Sequence, residues 1–254
     1  MPSDFFWYEL MTTDVAAAET FYKNVVGWTS QPFEGSGMDY VVFNAGERGV
    51  AGAMLLPDEA KAMGTPPCWM GYIFAKDVDA ATADVKKAGG TVHREPSDIP
   101  GVGRFSVVAD PQGAAFMLMT PTGPDQPPAP PATSGHVGWR ELYAGEYKSA
   151  FDFYSKQFGW NKVRDFDMGE IGTYLIFGTG GEQGVGGVMT KPKQMPAPAW
   201  QFYFNVPDIQ AGARRIAENG GTITVQPMEV PDGSWVVNAQ DPQGAHFALL
   251  AAKK

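Results

Sequence analysis

Cysteine is nearly absent from this sequence: Cys68 is the only one in 254 residues. No intrachain disulfide can form, and a reducing compartment such as the cytoplasm is the expected home. Cys68 itself is expected to be a small, buried or half-buried apolar residue. Histidine is scarce as well, with only His93, His136 and His246. Basic runs are missing: 19 Lys and Arg stand against 28 Asp and Glu, a net charge of −9. Without a clustered basic surface the chain has nothing to hold a phosphate backbone, so nucleic acid is not an expected partner. No run of about 18 apolar residues occurs, so no membrane-spanning helix is expected. The opening MPSDFFWYEL also lacks the basic-then-apolar pattern of a secretory leader.

What the sequence does have is repetition. Glu9-Leu10 recurs as Glu141-Leu142, Phe21-Tyr22 as Phe153-Tyr154 and Gly27-Trp28 as Gly159-Trp160, each with an offset of 132. Later the offset is 131: Gly89-Gly90 matches Gly220-Gly221, and Asp110-Pro111-Gln112-Gly113-Ala114 matches Asp241-Pro242-Gln243-Gly244-Ala245. Collinear matches of this length mark a tandem duplication. Between the copies lies a proline-rich stretch, which holds extended geometry without donating backbone hydrogen bonds. The expected organisation is one domain over 1–120, a linker over 121–134 and a second domain over 135–254.

Each copy reads as two smaller modules. The first opens with a strand over Phe6 to Met11, a helix capped by Asp14, and a Gly-Trp stop. Val15, Ala18, Phe21, Tyr22 and Val25 share one face of that helix at helical spacing. Strand-like runs such as YVVFNAG and VAGAMLL follow. The second module starts with a strand near WMGYIFA and a helix capped by Asp77, on which Val78, Ala81, Val85 and Ala88 share a face; Gly89 supplies the positive φ that ends it. TVHREP, RFSVVAD and AAFMLMT complete it. In the second copy Asp208 caps a helix carrying Ile209, Ala213, Ile216 and Ala217, which stops at Gly220.

A strand–helix–strands plan occurring four times, the Asp-capped helix ending in Gly-Trp, the stretch at 77–90 and the Asp-Pro-Gln-Gly turn resemble the vicinal oxygen chelate superfamily of glyoxalases, bleomycin-resistance proteins and extradiol dioxygenases. The resemblance spans nearly the whole chain outside the linker and is narrowest to two-domain glyoxalase-like proteins. It implies an α+β fold of tandem domains, each built of two βαβββ modules whose mixed sheet curls into a cup around a ligand. In metal-dependent members, ligands come from the first strand of a module, usually His or Gln, and from its last strand, usually Glu. Counted from the caps and turns, the first-strand positions are Trp7, Met70, Trp139 and Gln201, and the last-strand positions Met117 and Ala248. Only Gln201 among these can hold a hard cation. The resemblance therefore implies cups without the usual metal ligands: no cofactor is expected, and a divalent metal is disfavoured.

Strand alternation then aims other groups inward. Glu9 and Glu141 each stand two residues beyond a tryptophan at a ligand position, and are the candidate acid–base residues; the competing reading ties each carboxylate to a neighbouring donor or to solvent. Trp7, Met70, Tyr72, Met117, Trp139, Gln201 and Tyr203 would line the cups with aromatic and thioether surface, which suits a flat or apolar small molecule. His246, two residues before Ala248, is a further candidate contact. His93 is expected at a surface or sheet edge and His136 exposed, while Phe21, Tyr22, Phe153 and Tyr154 are expected to be core. Three readings follow: a small-molecule binder, expected as monomer or homodimer and resembling resistance proteins that sequester a drug; an enzyme of glyoxalase-like lyase or hydroxylase and dioxygenase-like type using Glu9 or Glu141; or a scaffold with both cups filled by side chains. Binding is the preferred one.

Overall fold

The computed structural model describes residues 3–33, 39–123 and 127–253. In chain order the first copy forms β1 (Phe5–Thr12), α1 (Val15–Val26), β2 (Thr29–Pro32), β3 (Tyr40–Ala45), β4 (Arg48–Leu55), a short α2 (Asp58–Ala62), β5 (Cys68–Phe74), α3 (Val78–Lys87), β6 (Thr91–Ile99), β7 (Gly103–Ala109) and β8 (Ala115–Pro121). The second forms β9 (Val137–Ala144), α4 (Tyr147–Phe158), β10 (Asn161–Asp167), β11 (Thr173–Gly178), β12 (Gly186–Thr190), β13 (Ala199–Asn205), α5 (Ile209–Glu218), β14 (Thr222–Glu229), β15 (Trp235–Gln240) and β16 (His246–Ala251). The fold is α+β, with four strand–helix–strands modules. Of the linker over 121–134, residues 124–126 lie outside the described residues.

Each copy contributes one eight-stranded mixed sheet, in the order β2-β3-β4-β1-β5-β8-β7-β6 and its counterpart β10-β11-β12-β9-β13-β16-β15-β14. Within each module the first strand pairs parallel with the last, as in β1 with β4 and β13 with β16, and the later strands pair antiparallel, as in β3 with β4 and β15 with β16.

The helices start and stop where the side chains dictate. Asp14, Asp77 and Asp208 each accept a first-turn amide, from Ala17, Ala80 and Ala211 at 2.9, 3.0 and 2.9 Å. In α4 the cap is Glu146, which takes the amides of Lys148 and Ser149, and these bonds hold its carboxyl below the usual carboxylate range. Gly27 and Gly159 end their helices in the left-handed conformation. The tryptophans that follow are anchored: Trp28 Nε1 donates to Gly135 O at 2.7 Å and Trp160 Nε1 to Ser3 O at 2.6 Å. Two apolar faces differ from expectation. In α3 the buried residues are Val78, Thr82 and Val85, while Ala88 is exposed. Thr82 can be buried because its hydroxyl bonds Val78 O at 2.6 Å and meets Ser106 Oγ at 2.7 Å. In α5 Ala217 is exposed and Gly212 takes the buried place, against Leu249.

Compact packing divides the chain differently from the repeat. One unit is Met1–Trp7, Met70–Asp125 and Arg140–Gln201; the other is Tyr8–Trp69, Gln126–Trp139 and Phe202–Lys254. Each unit thus joins a module of one copy to a module of the other. At the centre of the second unit Tyr22 is fully buried. Its hydroxyl donates to Asp241 Oδ2 at 3.0 Å and accepts from Trp69 Nε1 at 2.8 Å, while Asp241 Oδ1 accepts the amides of Gln243 and Ala245 at 2.9 Å. The first unit repeats the chain of bonds: Trp200 Nε1 to Tyr154 Oη at 3.0 Å, and Tyr154 Oη to Asp110 Oδ2 at 3.1 Å. Burial first, and then the facing carboxylate, pushes both phenols well above their ordinary pKa, so each tyrosine keeps the proton it donates. Aromatic rings surround each phenol. Phe43, Trp28, Trp69, Phe204 and Phe247 flank Tyr22, and Phe116, Phe158, Trp160 and Trp200 flank Tyr154.

Removing either hydroxyl leaves a buried carboxylate oxygen and a buried indole N–H without a partner. Tyr22→Phe or Tyr154→Phe should therefore cost about 2–4 kcal/mol, read as a lower urea midpoint at unchanged slope; an unmoved midpoint would show that the bonds contribute nothing.

Candidate functional site

Alternation along the strands fixes which side chains leave the helix-packed face. In the first module Phe43 lies against Tyr22 of α1, and Val41, Ala53 and Leu10 fall on its side of the sheet. The alternate row, Glu9–Gly52–Val42, together with Tyr40, therefore points away from the helix. In the second copy Phe177 stacks on Trp160 with centroids 4.5 Å apart, so the row Leu142–Val188–Leu175 lies on the core side and Glu141–Gly187–Ile176 with Tyr174 on the other.

These rows bring together three residues in the same arrangement in both copies. Glu141 pairs in register with Gly187, and Tyr174 Oη donates to Glu141 Oε1 at 2.8 Å. The Tyr174 ring crosses directly over Gly187, where a Cβ would overlap its ring and hydroxyl. In the first copy Glu9 pairs with Gly52, and the Tyr40 ring and hydroxyl lie over Gly52 in the same way. Glycine leaves room at both places for a phenol laid on the sheet, and a Cβ there would displace the ring. Glu9 and Glu141 are each only 6% exposed. Glu9 also raises the pKa of a neighbour: burial first, and then the Glu9 charge, pushes the Cys68 thiol up to about 11.

The other candidates occupy the second modules. Tyr72 pairs in register with Met117, both buried, and the exposed edge of Phe6 stands 6.5 Å from the Tyr72 ring, centroid to centroid. Met70 is buried two residues upstream of Tyr72. In the second copy Tyr203 pairs with Ala248, both buried. Gln201 has a buried Nε2 with no hydrogen-bond partner. Trp7 and Trp139 are half-buried. His246 lies exposed at the start of β16 with its Nε2 2.8 Å from Gln240 Nε2. His93 is exposed on the edge strand β6. His136, expected to be exposed, is half-buried; burial, and then Arg48, hold its pKa below the ordinary histidine value.

The sequence reading missed Tyr40, Tyr174 and the two glycines. Their signal was present, because YVVF at 40–43 and YLIF at 174–177 occupy matching places ahead of the GVAGAM and GVGGVM runs. Reading Gly52 and Gly187 as seats for an aromatic ring would have found them.

A family model described as the Glyoxalase/Bleomycin resistance protein/Dioxygenase superfamily matches residues 5–118 and again 133–249. Among relatives, "Putative glyoxylase CFP32" of Mycobacterium tuberculosis (strain CDC 1551 / Oshkosh) is 32% identical, over 96% of this chain and 93% of that protein. The anthracycline biosynthesis protein DnrV of Streptomyces peucetius is 31% identical, over 98% of this chain and 93% of that one. Among solved structures, the Mn(II)-bound glyoxalase from Novosphingobium aromaticivorans is similar with a TM-score of 0.67 at 16% identity, covering 100% of this chain and 83% of that one. The 2,3-dioxygenase LapB from Pseudomonas sp. KL28 also gives 0.67, at 13% identity, covering 98% and 92%. At such identities the two structures speak for the fold alone.

Two measurements test this geometry. Gly187→Ala should push Tyr174 off Glu141 and cost about 1–3 kcal/mol, whereas Gly181→Ala, whose Cβ meets nothing closer than 3.9 Å, should be tolerated; equal melting temperatures for the two variants would contradict the seat. Glu9→Gln should lower the Cys68 pKa and speed its alkylation at pH 8 several-fold, and an unchanged rate would place the Glu9 charge elsewhere.

Proposed function

This chain belongs to the glyoxalase/bleomycin resistance protein/dioxygenase superfamily, and on that premise we propose that it binds a small apolar or aromatic molecule without the family's usual metal ligands. The observation that carries this reading is the repeated Glu–Tyr–Gly seat. A carboxylate held by a phenol, as Glu141 is by Tyr174, is a fixed polar group of the kind that orients a flat ligand. Half-buried indoles at Trp7 and Trp139 and the buried Tyr72 and Tyr203 add aromatic surface.

The donor set does not fit a divalent ion. The positions that would supply ligands carry Trp7, Met70, Trp139, Gln201, Met117 and Ala248, and β4 (RGVAGAML) and β12 (GGVMT) offer neither carboxylate nor imidazole. Among the described residues no three His, Cys, Asp or Glu side chains are grouped to hold a metal. The relative named for anthracycline biosynthesis supports a planar aromatic ligand class.

One observation favours a second reading, an enzyme of glyoxalase-like or dioxygenase-like type. The 2.8 Å bond from Tyr174 to Glu141 gives that carboxylate a proton-bearing neighbour, so Glu141, or Glu9 by its matching position, would move a proton as acid or base.

Thermal-shift and equilibrium-dialysis screening with planar aromatic compounds should yield ligands whose binding survives chelator treatment, with elemental analysis giving well under one divalent ion per chain. Stoichiometric metal, or binding abolished by chelator, would overturn the reading. Turnover of a methylglyoxal–thiol adduct that vanishes in Glu9→Gln or Glu141→Gln would establish the second reading instead.

A further inference from the structure

The duplication lets one copy serve as the reference for the other. In the first copy Asp98, Arg104 and Thr120 are in register across β6, β7 and β8. Arg104 reaches from this row to α3: its Nε and Nη2 donate to Asp79 Oδ2 and Oδ1 at 2.6 and 2.8 Å, and its Nη1 to Asp98 Oδ1 at 3.0 Å. At the offset of 131, the second copy places Glu229, Trp235 and Ala251 in the matching row across β14, β15 and β16, and Gln210 of α5 at the position of Asp79. Two residues along the same strands, Leu249 lies in register with Val237 and against Gly212 of α5, so alternation puts Trp235 and Ala251 on the helix side of the sheet. This is the face opposite to Tyr203 and Ala248, and the row lies within one compact unit.

There the sheet and the start of α5 border an open groove of about 400 Å³, lined by Asp208, Gln210, Glu229, Trp235 and Lys253 among others. Trp235 is 36% exposed and Glu229 is exposed beside it. Cross-strand neighbours in register stand about 5 Å apart at Cβ. Among the described residues no ion pair engages Glu229. Where the first copy holds a guanidinium, the second therefore presents an indole next to a carboxylate. These are the two groups that receive a planar guanidinium, one by stacking and the other by charge-assisted hydrogen bonds.

We propose that this groove is a binding site for a small alkylguanidinium cation, which stacks on Trp235 and pairs with Glu229 as Arg104 pairs with Asp98 in the first copy. The side-chain oxygen of Gln210 accepts a further N–H in the place of Asp79. In the first copy Arg104 already satisfies both carboxylates, so the site belongs to the second copy alone. It lies on the other side of the sheet from the face read above as ligand-binding and stands independently of that reading.

The test is an NMR titration of the full chain with n-butylguanidinium and with n-butylurea, a neutral analogue of the same shape. The cation should shift the Trp235 indole N–H signal, identified by its loss in Trp235→Phe, in a saturable way and bind about fivefold or more tightly than n-butylurea. Glu229→Gln should weaken the cation about two- to fivefold and leave n-butylurea unchanged. Trp235→Arg installs the first copy's residue and should reduce the cation to the level of n-butylurea, as followed by the Gln210 and Gly233 amides, with circular dichroism reporting the fold. Equal binding of the two probes, a response confined to other tryptophans, or either variant binding the cation like wild type would each overturn the site. An N-acetyl-Gly-Arg-Gly amide that binds more tightly than n-butylguanidinium would overturn the small-molecule assignment in favour of an arginine from a protein partner.

Discussion

The interaction on which each compact unit depends is a phenol donating to a buried carboxylate that is itself wrapped in backbone amides. Asp110 and Asp241 are 1% and 3% exposed, and burial pushes both carboxyls above their ordinary pKa against the pull of their hydrogen bonds. Each is kept usable by having every bond assigned: one oxygen to the turn, the other to a tyrosine from the other copy, and that tyrosine to an indole. A polar network at this depth is stabilising only when it is complete. That explains why the Phe-Tyr pair on the helix and the Asp-Pro-Gln-Gly turn recur together. They are two halves of one contact separated by 219 residues in one unit and 44 in the other.

With the helix faces committed to that core, the opposite faces of the sheets carry the glutamates and the tyrosines beside them. The glycines at 52 and 187 let a tyrosine lie flat on the sheet, and the residue paired with each glycine is a glutamate. The geometry follows from register alone, since a shift of one residue would send the glutamate into the helix side. The second modules use the same faces differently, apolar in one copy and amide-bearing in the other.

Much of this was legible in the sequence, for physical reasons that differ by element. The duplication, the four modules, the caps at Asp14, Asp77 and Asp208 and the Gly-Trp stops rest on local rules, and they hold. The alternation argument that put Glu9 and Glu141 off the helix face also agrees with the register. Buried polar residues were harder. Thr82 reads as a poor core residue until Ser106 is found beside it, and Tyr22 reads as plain packing until Asp241 is found under its hydroxyl. The partner in each case lies far along the chain, so no local pattern announces it. The Tyr–Gly seats were missed because a glycine in a strand shows only that something approaches closely, never what.

Joining modules of different copies has a consequence for assembly. A chain with a single copy would own one tyrosine and one turn aspartate but could not satisfy them on each other in this arrangement, since each unit draws the two from different copies. Two separate single copies would have to associate to form these pairs, whereas the covalent link makes the pairing intramolecular and independent of protein concentration. The linked halves need not be identical, and Asn238 stands in one where Val107 stands in the other.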